Sequence, residues 1–438
     1  MNAVRSALWL VMLAVFVGGA PVGAAQTAGD APLPLDLRDR TFDAVWTTVR
    51  DQVYDPGLVG AAWDSVRAVY APRVAEAETN ETLHLLLSAM VGELDRSHVR
   101  VDPPHRATRF EALAAPRGAA DPGTGLQFDV VEGEIVVVDV APGSASEAVG
   151  VCVGDVVRAV DGQDLEALRE AHLQATPALE HMAETFLAVR AVLHGLDGEP
   201  GAPVRLSLDS GSGRHEVEVV RQRRPTPTAV TWRREGDVGV VRVPLFFHGT
   251  GAAFGAALDS LDEVRGLVID LRGTPGGLAS ELGAIAGAQH GGGGSLGTVR
   301  RREPGTDRVT EHPLWFTGQA GAYGGPVVVL VDGSTASSAE VMAAGLQSTG
   351  RARIVGRQTV GAVLPMGQVP LPSGGMLRLP VAEIRPPDGR VIEGVGIEPD
   401  VVVARSIGGL RAGRDEDLDA ALGLIREAGR SPGAGSAP

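Results

Sequence analysis

Apolar positions change rhythm twice along the chain. Between about Asp36 and Leu94 they recur every three or four residues: Phe42, Val45, Trp46, Val49 and Val53, then Trp63, Val66 and Val69, then Leu83, Leu86, Leu87, Met90 and Val91. One buried stripe per helix gives that spacing, so three amphipathic helices are expected, the third capped by Asn80. From about Gly118 to Gln222 the pattern shortens to strands such as Glu134 to Val140 and Val204 to Leu208, with turn residues between them. A helical stretch of about Leu165 to His194 interrupts them. Residues 238–402 then alternate strand and helix: Val238 to Val243, Phe254 to Leu261, Gly266 to Leu271, Leu278 to Gln289, Pro326 to Val331, and Ser337 to Gln347. Val327-Val328-Val329-Leu330-Val331 is apolar at every position, as in strands covered on both faces within βαβ units. Gly291 to Gly294 reads as a flexible loop, not a phosphate site. Beyond Arg414, Leu418, Leu422 and Ile425 mark one more amphipathic helix, ahead of a Gly/Ser/Pro-rich end that reads as disordered.

Residues 1–25 carry Arg5, an apolar stretch from Ala7 to Val17 and small residues at Ala24 and Ala25, the layout of a secretory signal peptide. The stretch is short for a membrane span and is soon followed by Gly and Pro. Cys152 is the one cysteine, so no intramolecular disulfide can form, and no cysteine near the signal could carry a lipid. The expected destination is a periplasm or the outside medium, with no stable span after signal removal.

With 438 residues, two or three units are expected. The net charge of −15 argues against a nucleic-acid partner, whose phosphates need a basic surface. All 39 basic residues are arginine; the chain has no lysine. Scattered histidines and a lone cysteine offer no ligand cluster, so neither a metal nor another cofactor is expected.

Two turns carry candidate chemistry. Val331-Asp332-Gly333-Ser334-Thr335-Ala336-Ser337-Ser338-Ala339-Glu340 follows a buried strand and opens a helix. A serine there is exposed, and the amides of the first helical turn face any oxyanion formed beside it. The same letters also fit a capping box between Ser337 and Glu340. Asp270-Leu271-Arg272-Gly273-Thr274-Pro275-Gly276-Gly277 follows the preceding strand, and its glycines allow close backbone approach to a substrate; an ordinary strand-to-helix turn would use them too.

These two segments, with Gly396-Ile397-Glu398-Pro399-Asp400, resemble the S41 serine peptidases, the C-terminal processing or tail-specific peptidases and their relatives around the tricorn protease core. The resemblance runs from about residue 38 to 402. It implies a multidomain α+β chain: a helical N-terminal unit over 36–113, a PDZ-like β module over 118–222 with a helical insert, and a crotonase/ClpP-like α/β peptidase core over 227–405. A C-terminal helix and disordered tail fill 406–438. In the best-known branch a lysine 25 residues after the serine is the base; here that position is Ala362. Arginine cannot replace it, because it stays protonated. The tricorn-like branch instead has a Ser-His pair ahead of the PDZ-like region and a glutamate before the last motif, and Ser97-His98 and Glu393 stand there. The resemblance then implies Ser337 as nucleophile, His98 as general base, Ser97 linking His98 to Glu393, and the amides of Ser338 and Gly276 as oxyanion hole. In a regular strand Ser97 and His98 would face opposite sides, so a loop or irregular turn is expected.

The PDZ-like reading rests on Gly125-Leu126-Gln127-Phe128, similar to a carboxylate-binding loop, and on Pro142-Gly143-Ser144-Ala145-Ser146, Gly154-Asp155-Val156-Val157 and Asp161-Gly162. Such a module binds a peptide or only packs. The function expected is exported serine peptidase acting on peptides or unfolded and C-terminal protein segments. The alternative is an idle PDZ-containing peptide-binding or scaffold protein. Acyl-thioester chemistry, suggested by the crotonase-like core, leaves Ser337 without a role.

Overall fold

The computed structural model describes residues 32–104, 120–175, 183–225 and 229–430. The signal segment, residues 105–113 of the N-terminal unit, the middle of the 165–194 stretch and the chain end from 431 lie outside the described residues.

The first rhythm folds into α1 (Leu35–Gln52), α2 (Ala61–Ala75) and α3 (Asn80–Gly92). Thr79, not Asn80, caps α3: its hydroxyl accepts the Thr82 amide at 3.2 Å, which one step further along the chain could not. Asn80 is the first helical residue, and its side-chain amide donates to the Ser373 carbonyl at 3.0 Å. A turn then leads into β1 (Arg100–Asp102).

The second rhythm gives β2 (Ala120–Gly123), β3 (Leu126–Val131), β4 (Glu134–Val140), α4 (Ala145–Ala148), β5 (Val156–Val160), β6 (Gln163–Asp164), α5 (Leu165–Ala175), α6 (Glu184–Leu196), β7 (Pro203–Asp209), β8 (Arg214–Val220) and β9 (Gln222–Pro225). Strands β3-β4-β5-β7-β8 form an antiparallel sheet with β3 at its edge, while β6 pairs with β5. Leu126, Phe128, Val137, Leu206 and Leu208 bury one face against Leu168, Val192 and Leu196 of α5 and α6. β2 pairs with β9, so the chain enters and leaves this module side by side.

The core follows as β10 (Thr231–Glu235), β11 (Val238–Arg242), α7 (Thr250–Ser260), β12 (Gly266–Asp270), α8 (Leu282–Gly287), β13 (Gly294–Arg302), β14 (Val309–Phe316), β15 (Val327–Val331), α9 (Ser338–Ser348), β16 (Arg353–Gly356), β17 (Met366–Pro370), β18 (Met376–Pro380), β19 (Glu383–Arg385), β20 (Val401–Val402), α10 (Ile407–Arg411) and α11 (Glu416–Arg430). Its main sheet runs β10-β11-β12-β15-β16-β20, parallel except for β10. Alternate residues of β12 and β15 point to opposite faces. Ile269 and Val329 meet α7, α8 and α9 on one face, and Val268, Val328 and Leu330 meet Leu418, Ala421 and Ile425 of α11 on the other. The C-terminal helix therefore covers the rear of the sheet.

Besides the α3 cap, three sequence expectations shift. The helix expected over 278–289 is a short 3-10 turn followed by α8 alone. The glycine run at 291–294 ends inside β13, which pairs with β14 and β19 in a small sheet. The N-terminal helices do not close a core by themselves. Val45, Val49, Leu83 and Leu87 pack with Leu364, Leu371, Leu377 and Leu379, and β1 pairs with β18, with β17 beyond it. That docking carries the loop before β1 onto the peptidase-like core.

Candidate active site

Ser337 lies at the C-terminal end of β15, as the residue before α9, with φ 57° and ψ −124°. A serine held there stores roughly 1–3 kcal/mol of backbone strain, so its surroundings must hold it. They do so through Glu340. This wholly buried carboxylate accepts the Ser337 amide at 3.0 Å, the Gly361 amide at 2.7 Å, the Ala362 amide at 3.0 Å and the Thr359 hydroxyl. Burial pushes Glu340 up to about 7, against the pull of these donors. The backbone half of a capping box thus binds the serine turn to residues 359–362. Asp332 fixes the start of the same turn by accepting the amides of Ser334 and Gly273, each at 3.0 Å, which ties the serine turn to the glycine turn.

Gly276 stands at φ 96°, and a Cβ there would lie 2.6 Å from the Ser337 Cβ and 2.8 Å from the Ser338 nitrogen. Only glycine fits. The Ser338 hydroxyl donates to the Gly277 carbonyl at 2.8 Å and clamps the two turns together. Among the described residues the Ser338 and Gly276 amides make no hydrogen bond, while the Gly276 carbonyl accepts the Phe246 amide. Two unclaimed N–H groups therefore stand beside the serine, as an oxyanion requires.

His98 occupies the turn before β1 at φ 61°, the irregular conformation expected from the sequence. Its Nδ1 lies 2.8 Å from the Ser97 Oγ, which donates to Glu393 Oε2 at 3.0 Å. Glu393 also accepts the Ser97 amide at 2.8 Å and the Val363 amide at 3.0 Å. The Ser97 proton goes to the carboxylate, so Nδ1 must be the N–H that donates to Ser97, leaving Nε2 with its lone pair. Burial and the Arg100 guanidinium lower His98 to about 4, so its ring is neutral near pH 7. Burial raises Glu393, opposed by the Ser97 and Val363 donors. Arg390 pairs with Asp388 instead of Glu393. No hydrogen bond among the described residues joins the His98 ring to the Ser337 hydroxyl; both are tied to residues 359–363, Ser337 through Glu340 and His98 through Glu393.

The PDZ-like module reaches this region at two places. Phe186 of α6 packs on Ala336, Val360 and Ala362, the apolar surface beside Ser337. On β3, Leu126 and Phe128 point into the module's own core, whereas the Gln127 side chain accepts from Arg242 at 3.2 Å and Asp129 pairs with Arg357 at 3.0 Å. Gly125, at φ 83°, has no room for a side chain against Ser144. A cavity of about 410 Å³ adjoins the relay, lined by Arg96, Ala183, Val360, Gly361, Glu393 and Gly394 among others. Sequence reasoning missed the bridging role of Glu340, which it took as a cap, and the contacts of Phe186 and Asp129. No local signal marks the last two.

Among the described residues no group of three or more His, Cys, Asp or Glu side chains is placed to hold a metal ion, and no helix is long and apolar enough to cross a membrane.

A parallel sheet with a strained serine at a strand-to-helix turn and amides beside it defines a class of nucleophilic hydrolase folds. Residues 237–403 match peptidase family S41, residues 38–92 the tricorn protease C1 domain and residues 117–179 the PDZ domain. Residues 237–403 belong to peptidase family S41. The chain is 28% identical over 295 residues to a carboxy-terminal-processing protease of Bartonella bacilliformis, covering 65% of this chain and 62% of that protein, just under two thirds of the relative's length. It is 27% identical over 406 residues to a carboxyl-terminal-processing protease of Picosynechococcus, covering 90% of each. Among solved structures, a photosystem II D1 C-terminal processing protease superposes with a TM-score of 0.60 at 25% identity, over 90% of this chain and 98% of that one.

Proposed function

We propose that this chain is an exported serine peptidase that cleaves peptides or unfolded and C-terminal protein segments through an acyl-enzyme. Ser337 Oγ attacks the scissile carbonyl and passes its proton to His98 Nε2, and the carbonyl oxygen turns to the amides of Ser338 and Gly276. The C–N bond breaks as His98 returns that proton to the leaving amine. Water, deprotonated by His98, then attacks the ester, and Ser337 recovers its hydrogen. Ser97 and Glu393 hold the imidazole tautomer. The observation that carries this reading is the Glu393–Ser97–His98 relay, drawn from opposite ends of the chain and without a use in an ordinary turn. The signal-like segment at 1–25 supports export.

A second reading, an idle peptide-binding protein, draws on the missing hydrogen bond between His98 and Ser337. Peptide hydrolysis by the purified chain separates the two. The peptidase reading expects turnover that falls by about 10⁴-fold or more in both Ser337→Ala and His98→Ala. A folded wild-type chain with no turnover, or a His98→Ala variant as active as wild type, contradicts it.

A further inference from the structure

Asp417 is wholly buried in the first turn of α11, behind the main sheet and on none of the elements that carry Ser337, His98 or Gly276. Three arginines converge on it: Arg357 Nη1 at 2.7 Å on Oδ1, Arg272 Nη1 at 3.1 Å on Oδ2, and Arg405 Nε at 3.9 Å. Arg272 and Arg357 stand at the roots of the two arms of the site. Arg272 immediately precedes the Gly273–Gly277 turn. Arg357 leads into residues 359–363, whose amides meet Glu340 and Glu393.

The surrounding charges hold both guanidinia in place. Arg272 also pairs with Asp270 at 2.8 Å and Asp415 at 2.7 Å, and Arg357 with Asp129 of the PDZ-like module. Burial works against charge on Asp270, yet Arg272 and Arg242 hold it down to about 2. A desolvated ion cluster is stable only with its partners in place, so the distance between the two guanidinia is set by the one carboxylate they share.

We propose that Asp417 is a positioning residue: it fixes the spacing between the oxyanion turn and the 359–363 segment, so the C-terminal helix holds the site as well as covering the sheet. The kinetic side of this rests on the peptidase reading; the structural side stands on the geometry alone. The test compares the full chain with Asp417→Asn, Asp417→Glu and Leu418→Ala, the last loosening the same helical turn through its apolar contact. Peptide kcat and KM, thermal midpoint, and amide hydrogen exchange over 271–278 and 359–364 are measured. Asp417→Asn is expected to lower kcat by roughly ten- to a hundredfold, as a misplacement of about 1 Å does, and to speed exchange in both segments. KM stays within about twofold. Asp417→Glu recovers part of the loss. Leu418→Ala lowers the midpoint but leaves kcat and both segments as they were. Equal behaviour of Asp417→Asn and Leu418→Ala, with stability lost and exchange in both segments unchanged, overturns the proposal. Should the wild type cleave no peptide and leave Ser337 unreactive toward a phosphonate, the peptidase reading fails while the exchange comparison still decides on the tether. Should Asp417→Asn not fold, Arg272→Lys keeps the charge and loses the fork; faster exchange confined to 271–278 supports the tether, and unchanged exchange overturns it.

Discussion

Ser337 and His98 both stand at positive φ, 57° and 61°, and each is backed by a glutamate that receives amides from residues 359–363. The supports differ in reach. Glu340 lies three residues from Ser337, within the same turn and helix, and is wholly buried with four donors around it. Glu393 lies 296 positions from Ser97 and is partly exposed, and His98 arrives beside it only because the N-terminal helices complete their core on β17 and β18. The proposed nucleophile is therefore part of the local fold, while the proposed base depends on docking. Loss of docking should disable the base before it disturbs the nucleophile.

Replacing each support sharpens that contrast. Glu393→Gln has the largest expected effect on rate. Its amide nitrogen would donate to the Ser97 hydroxyl, turn that hydroxyl toward Nδ1 and place the proton on Nε2, where it blocks base catalysis. A fall in kcat of about 10³- to 10⁴-fold is expected, together with a lowered thermal midpoint, because the same nitrogen then faces the Val363 amide. A variant that keeps wild-type kcat would mean that the relay does no orienting. Glu340→Gln should act mainly on stability, because a side-chain N–H then faces the Ser337 and Ala362 amides and leaves buried donors unpaired. A loss of about 1–3 kcal/mol in denaturant unfolding is expected. An unchanged unfolding curve contradicts the local-support account. Arg100→Gln has the smallest effect. Arg100 is the lesser cause of the lowered His98 value, after burial, so its removal moves the acid limb of kcat/KM upward without moving the plateau. A limb that does not move would mean that Arg100 exerts no field on the ring.

The same contrast explains what could be read without coordinates. The serine turn was legible because strand, turn and helix are contiguous: Val327–Val331 is apolar throughout, and Ser337 opens the next helix. The Gly276 turn was legible for a similar reason, since consecutive glycines after a buried strand have a conformational meaning. His98 and Glu393 were reachable only through resemblance, because nothing in Asp95-Arg96-Ser97-His98 says which distant carboxylate it will meet. The β13–β14 hairpin and the β17–β18 pair escaped the periodicity. Val309–Phe316 is largely exposed and carries polar and charged residues, while β17 and β18 are only five residues each, with the buried Arg378 interrupting the apolar run of Met376–Pro380, so neither pair shows the apolar runs that marked the main sheet. Asp417 lies in the amphipathic helix marked by Leu418, Leu422 and Ile425, and nothing in that pattern singled it out; that its carboxylate faces three arginines depends on the packing of α11 across the sheet.

Phosphonylation of Ser337 by a peptidyl phosphonate ester, whose alcohol or phenol leaves as the Ser337 oxygen bonds to phosphorus, followed against pH in the wild type and in His98→Ala, addresses the central claim without needing a known substrate. With the neutral ring as the proposed base and its value lowered from 6.5 to about 4, reactivity should persist well below pH 6 and fall only as the pH drops toward that value. By the same sign, the folded chain binds fewer protons here than the unfolded chain between about pH 4 and 6.5, and this group's contribution to stability rises with pH across that window. The account predicts that His98→Ala slows phosphonylation by several orders of magnitude and abolishes the acid limb. Phosphonylation at the wild-type rate in that variant, with the same pH dependence, would contradict it.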